Sequence, residues 1–140
     1  MTRCNCVVLF CVLACGCSDR PTLAPVKGTV TLDGKPLASG TVMFETKGAR
    51  QATGKIVKGE IVEVTTYAPN DGLTVGQHNV AVVSIEEAAK PGDGKVTKGD
   101  YMSGKSLIPA KYNDPNASGL KVDIKNGENA VELKLTSNPQ

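Results

Sequence analysis

The folded part of this chain lacks cysteine, because all five cysteines lie between Cys4 and Cys17 and none follows. A disulfide framework needs cysteines distributed through a domain, so disulfide stapling of the folded part is excluded. A structural zinc site needs ligand pairs from two parts of a fold, and no second cysteine cluster follows the first. We therefore predict neither a metal site nor a cofactor.

Aromatic residues and an excess of one charge are also scarce. The sequence has no tryptophan, three tyrosines and two phenylalanines. Sixteen basic residues stand against fourteen acidic ones, and the basic count falls to fifteen when Arg3 of the N-terminal segment is set aside. Nucleic-acid binding needs a basic stripe with aromatic residues for stacking, so we predict no nucleic-acid partner.

A short hydrophobic segment lies near the N-terminus. Arg3 precedes an apolar run over residues 6–14, and the polar stretch Ser18-Asp19-Arg20-Pro21 follows it closely. This order of charge, apolar run and polar residues is typical of a secretory signal. The run is shorter than the roughly 20 residues that a transmembrane helix needs. We predict a signal peptide over residues 1–16 and export of the protein.

The end of this segment, Leu13-Ala14-Cys15-Gly16-Cys17, resembles the lipobox of bacterial lipoproteins. In that motif a small residue precedes a cysteine that is lipidated on sulfur and becomes the new N-terminus. The resemblance implies that Cys17 is acylated, for example with palmitate. Cys15 is the alternative site. Two or three acyl chains hold a protein on a membrane stably. We expect a membrane-anchored lipoprotein of the bacterial cell envelope; an ordinary signal peptide that releases a soluble protein is the alternative.

Apolar and polar residues alternate along most of the remaining chain, which predicts β-strands. Turn residues separate these segments, and we predict hairpins across Asp33-Gly34-Lys35-Pro36 and across Lys58-Gly59, with Asn126-Gly127 turning between the last pair of strands. The predicted strands cover residues 26–32, 40–45, 51–57, 60–66, 77–85, 120–125 and 131–135.

Seven short strands with one apolar face each are expected to bury these faces between two packed sheets. The predicted fold is an all-β, seven-stranded β-sandwich over residues 26–136, preceded by a tether over residues 17–25 and followed by a tail over residues 137–140. Residues 86–106 are rich in glycine and lysine and are predicted to form a mobile loop. The predicted core consists of Val30, Leu32, Val42, Phe44, Ile56, Val62, Val64, Val80, Val82, Leu120, Val122, Ile124, Val131, Leu133 and Leu135.

Several segments of the mature chain resemble small bacterial envelope lipoproteins that carry a carboxypeptidase-regulatory-like domain: 26–30, 33–37, 40–44, 52–54 leading to 65–66, 70–72, 76–80, and Ile108-Pro109-Ala110-Lys111-Tyr112 running to 118–120. The resemblance covers nearly the whole mature chain and implies a transthyretin-like (prealbumin-like) sandwich. Such domains serve as accessory or adhesive modules, which implies a non-enzymatic structural or binding module with an unknown envelope protein or glycan as partner. A carbohydrate- or peptide-binding receptor domain is the alternative, and a hydrolase is a third.

The single histidine, His78, shares a strand face with Val80 and Val82, which predicts a packed imidazole and not a catalytic base. One histidine and no thiol beyond the anchor cannot supply a nucleophilic triad, so we predict no catalytic residue and no enzyme. Lys111 and Tyr112 have two interpretations. They form either a clamp that returns the chain to the sandwich or a candidate ligand surface.

Overall fold

The computed structural model describes residues 21–86 and 105–138, and these residues form an all-β fold, as predicted. Besides strands, the described residues contain one four-residue 3-10 helix, Ala110–Asn113. The strands are β1 (Leu23–Ala24), β2 (Val26–Leu32), β3 (Lys35–Pro36), β4 (Ser39–Glu45), β5 (Ala52–Val57), β6 (Glu60–Thr65), β7 (Leu73–Thr74), β8 (Gly76–Val83), β9 (Leu120–Ile124) and β10 (Asn129–Leu135).

The seven longer strands belong to one curled sheet, in the order β10-β2-β6-β5-β4-β8-β9, with β3 attached to β2. The β2 and β10 strands are parallel, and all other neighbours are antiparallel. The expected stacking of two separate sheets is not established, because the hydrogen bonds run unbroken through all seven strands. A separate pair, β1 with β7, covers one end.

The predicted turns do reverse the chain, but the strands on either side of a turn do not always pair as we predicted. Asp33 and Gly34 both have positive φ, which suits a two-residue turn, and they join β2 to the short β3. The predicted hairpin of β2 with β4 is wrong, since β4 pairs with β5 and β8. The hairpin of β5 and β6 across Lys58-Gly59 is confirmed.

The last two strands also do not form a pair, although Asn126-Gly127 does turn the chain between them. The Asn129 side chain closes this turn: its Oδ1 accepts from the Lys125 N–H at 2.9 Å, and its Nδ2 donates to the Lys125 carbonyl at 2.8 Å. From there β10 pairs in parallel with β2 over seven residues. Thus β9 and β10 lie at opposite edges of the sheet.

The buried core lies inside the curled sheet. Eleven of the fifteen predicted core residues are buried, and the other four, Leu32, Val62, Leu120 and Val122, are half-buried. The error at Val62 has a specific cause, a β-bulge in β6 that inserts one extra residue opposite Gly54. Because the bulge breaks the period of two, Ile61 and Val64 both face the core and Val62 does not.

The boundaries of the predicted segments shift at two places. β1 and the buried Ala24 lie within the segment 17–25 that we predicted as a tether, so the folded part begins earlier. The ends of the predicted loop 86–106 are held together, because the Glu86 N–H donates to the Lys105 carbonyl at 2.9 Å. Residues 87–104 themselves lie outside the described residues.

Candidate functional site

A shallow groove on the outer face of β4, β5 and β6, lined mainly by residues with polar side chains, is the candidate functional site. Side chains alternate across a sheet, so the burial of Val42 and Ile56 places Thr41 and Lys55 on the outer face. The groove is lined by Thr41, Thr53, Gly54, Lys55, Glu63, Thr65, Pro69 and Asn70.

The bulge in β6 directs Glu63 into this groove. Glu63 has a φ of +53°, which an L residue rarely adopts, and its carboxylate forms an ion pair with Lys55 across the strands. The Thr65 hydroxyl donates to the Glu63 carbonyl at 3.2 Å. Bulges commonly redirect side chains next to functional sites, and here the bulge places a charge among threonine hydroxyls.

The loop after β6 forms one wall of the groove and is organised by Asp71. The Asp71 carboxylate accepts from the backbone N–H groups of Thr66, Tyr67 and Ala68 at 2.7–2.8 Å. Partial burial works to raise the pKa of Asp71, but these N–H groups outweigh it and hold the pKa below its ordinary value of 3.8. The charged carboxylate therefore stabilises this loop.

One residue of the groove has an unusual backbone conformation. Among the described residues, four other than glycine have positive φ. Asp33 and Lys58 each precede a glycine in a two-residue turn, where this conformation is normal. Asn70 follows Pro69 in the turn that the hydrogen bond from the Asp71 N–H to the Ala68 carbonyl closes, where asparagine with a positive φ is also common. Glu63 lies in no turn but at the bulge of β6, and strained backbone of this kind is found preferentially at binding sites.

The chemistry of the groove suits a neutral, hydroxyl-rich ligand. It offers the hydroxyls of Thr41 and Thr53, the Asn70 amide and one compensated Lys55–Glu63 pair. The Thr65 hydroxyl is already engaged, because it donates to the Glu63 carbonyl and accepts from the Asn70 N–H. Sugars present hydroxyls that both donate and accept, and such side chains match them. Within residues 21–86 and 105–138 no three His, Cys, Asp or Glu side chains cluster as a metal site requires.

The structure confirms that His78 is packed. Its side chain is 1% exposed, and its Nε2 lies 2.7 Å from the Thr74 carbonyl oxygen, so Nε2 carries a proton and donates to it. The ring meets Phe44 edge to face, with 6.4 Å between centroids. Its Nδ1 is buried without a hydrogen-bond partner among the described residues. His78 therefore faces the core and not the groove.

Tyr112 acts as the clamp that the sequence suggested. It is 4% exposed, and its hydroxyl accepts from the Thr136 N–H at 3.1 Å, which ties the 3-10 helix to the end of β10. The Lys111 ammonium lies 5.2 Å from the centre of the Tyr112 ring. The Tyr112 ring is therefore buried against the fold. The ligand surface predicted for Lys111 and Tyr112 stays a prediction.

The anchor residues cannot be placed by the structure. Cys15 and Cys17 lie outside the described residues. In the part of the chain that is described, no helix is both long and apolar enough to cross a membrane. No family model, curated protein or solved structure matches this chain. The resemblance to carboxypeptidase-regulatory-like lipoproteins therefore stays an expectation.

Sequence reasoning missed the groove as a site. One available signal was threonine at outward positions of three neighbouring strands, namely Thr41, Thr53 and Thr65. A second was the spacing of Ile61 and Val64, which does not fit a regular strand and marks the bulge.

Replacing Asp71 by asparagine should make stability less dependent on acidic pH. Since the pKa of Asp71 is lower in the folded protein than in the unfolded chain, its contribution is complete above the ordinary value of 3.8 and is lost as pH falls through the folded pKa. We expect Asp71→Asn to lose about 1 kcal/mol at neutral pH, a value reduced for solvent exposure, and to differ less from wild type in acid. Urea unfolding at several pH values from about 2 to about 7 measures the free energy of unfolding of both proteins.

The matched control is Asp123→Asn, which changes an exposed aspartate on the outer face of β9. Its effect at neutral pH should stay within about 0.5 kcal/mol. Equal pH profiles for wild type and Asp71→Asn would show that the loop does not depend on the charged carboxylate.

Proposed function

We propose that this chain is a non-enzymatic lipoprotein of the bacterial cell envelope, anchored through acyl chains on Cys17 or, alternatively, Cys15. Its folded part would be a carboxypeptidase-regulatory-like domain, a seven-stranded transthyretin-like sandwich that serves as a structural or binding module. The observation that carries the proposal is the Leu-Ala-Cys-Gly-Cys sequence at the end of a short apolar segment, only six positions before β1 begins at Leu23.

The non-enzymatic part of the proposal rests on the surroundings of His78. A general base must reach the proton that it abstracts, and the imidazole of His78 is enclosed by the core with its Nε2–H donated to a backbone carbonyl. The groove has no histidine in its lining. Its Lys55 and Glu63 neutralise each other. These features favour binding over catalysis and leave the hydrolase as the weakest candidate.

A labelling experiment tests the anchor. Cells that express the precursor are fed a palmitate analogue; the wild type should be tagged and Cys17→Ala should not be. Loss of the tag in Cys15→Ala alone would move the site to Cys15. Labelling that persists in both single variants and in the double variant, or that never occurs, would contradict the lipoprotein proposal.

The second candidate function, a carbohydrate-binding receptor, is favoured by the threonine-lined groove and by the unusual positive φ of Glu63 at the bulge. A glycan array probed with the purified protein should identify a ligand, and Thr53→Val should weaken binding about fivefold by removing one hydroxyl hydrogen bond. Thr29→Val, on the outer face of β2 and outside the groove, is the matched control and should bind normally. Equal affinities of the two variants would place the ligand elsewhere.

A further inference from the structure

The strand directions gather one set of loops at the end where the chain enters the fold. Strands β2, β5, β8 and β10 begin at this end, and β4, β6 and β9 finish there. We call it the β1 end; it comprises residues 21–25, 46–51, 66–75 and 125–128. The loop 33–38 and the ends of the segment 86–105 lie at the opposite end.

The chain is fixed to the β1 end immediately where it enters. The Val75 N–H donates to the Thr22 carbonyl at 2.9 Å, and Ala24 pairs with Leu73. If Cys17 carries the lipid, Thr22 follows it by five positions, and even a fully extended chain of five residue steps spans only about 17 Å. The β1 end must therefore stay close to the bilayer surface.

This end exposes apolar side chains to solvent. Tyr67 is 43% exposed and Val75 is 39% exposed, and both lie in the segment 66–75. Tyrosine is favoured at membrane interfaces, where its ring contacts apolar groups and its hydroxyl stays hydrated. Lys47, Arg50 and Lys125 lie at this end with Asp71 and Glu128. A net charge of only +1 selects no particular lipid headgroup.

The opposite end also exposes apolar side chains, Val57, Ile85 and Leu107, but the anchor keeps it away from the membrane. The seven residues of β2 separate the two ends by roughly 23 Å of strand. A connection of at most about 17 Å that starts at the β1 end cannot turn the domain over. The short connection therefore places the exposed residues of the β1 end, and not those of the opposite end, next to the membrane.

We propose that in the lipidated protein the β1 end docks on the surface of the phospholipid bilayer, with Tyr67 and Val75 in the interfacial region. This inference rests on the lipid anchor of the proposed function. Docking would add weak apolar contacts to the acyl chains and hold the domain in one orientation. The wall of the groove at Pro69 and Asn70 would then lie beside the membrane.

The natural absence of tryptophan allows a direct test with single tryptophan probes. Full-length acylated Tyr67→Trp is reconstituted into phosphatidylcholine vesicles whose acyl chains carry bromine, which quenches tryptophan on contact. Val57→Trp is the matched control, because Val57 is 48% exposed at the opposite end. We expect quenching of the Tyr67→Trp variant to exceed that of the control about twofold or more.

The outcomes separate the two proposals. Acylated protein that floats with the vesicles but shows equal quenching of both probes, or stronger quenching of Val57→Trp, overturns the docking while the anchor stands. Protein whose intact mass lacks acyl chains overturns the proposed function and the docking together. Matching near-ultraviolet circular dichroism of both variants and wild type shows that the probes report on the native fold.

Discussion

Replacing Gly72 by alanine is expected to lower the free energy of unfolding by about 3 kcal/mol or more. The loss has a conformational part and a larger steric part. Gly72 has a φ of +87°, where an L side chain costs about 1–2 kcal/mol. A Cβ atom placed on it would lie 2.2 Å from the carbonyl oxygen of Ala24. Relief of this clash requires β1 to leave β7, so the pairing is lost as well. Urea or thermal unfolding measures the change.

The matched control for this variant is Gly48→Ala. Gly48 has nearly the same backbone conformation, with a φ of +80°, but no atom lies within 4 Å of its added Cβ. Its cost should be the conformational strain alone, about 1–2 kcal/mol. Equal losses in the two variants would mean that β1 does not pack against Gly72 as described.

Replacing Phe44 by alanine is expected to cost about 3–5 kcal/mol, a large part of the stability of a domain this size. Phe44 is fully buried near the end of β4, between β5 and β8, and its ring contacts that of His78 edge to face. Its removal leaves a cavity that paired strands on both sides cannot close. The midpoint of urea unfolding should fall with little change in slope.

Met43 is the natural comparison, because it neighbours Phe44 in β4 but faces the outside of the sheet and is only half-buried. Met43→Ala should cost less than about 2 kcal/mol, since solvent can fill the space that the side chain leaves. A larger loss for Met43→Ala than for Phe44→Ala would reverse the assignment of inner and outer faces.

Most of the strands were predictable because alternation is a local property. The predicted segment 26–32 agrees with β2 exactly, and 60–66 exceeds β6 by one residue. Local turn chemistry was equally informative where the two strands that flank a turn do pair, as at Lys58-Gly59. The turn at Asn126-Gly127 suggested the wrong partner, because β10 pairs with the distant β2 and not with the neighbouring β9.

The candidate groove was much less predictable than the strands. Its composition depends on the order β6-β5-β4, which brings Thr65, Thr53 and Thr41 onto adjacent strands. Its charge depends on the bulge at Glu63, which opposes Gly54 of the neighbouring strand. Neither the strand order nor the bulge follows from the alternation within a single strand.

The sequence by itself determined the strand segments and most of the inward-facing residues. It is also the basis on which we predict an exported, lipid-anchored chain. These properties depend on neighbouring residues: the period of two, the turn dipeptides and the short apolar segment before Cys17. Only the tertiary structure decided that one curled sheet joins all seven long strands, that Ile61 replaces Val62 in the core, and that β1 fixes the entering chain. These depend on contacts such as Val26 beside Asn129, whose free energy is gained only when distant segments meet.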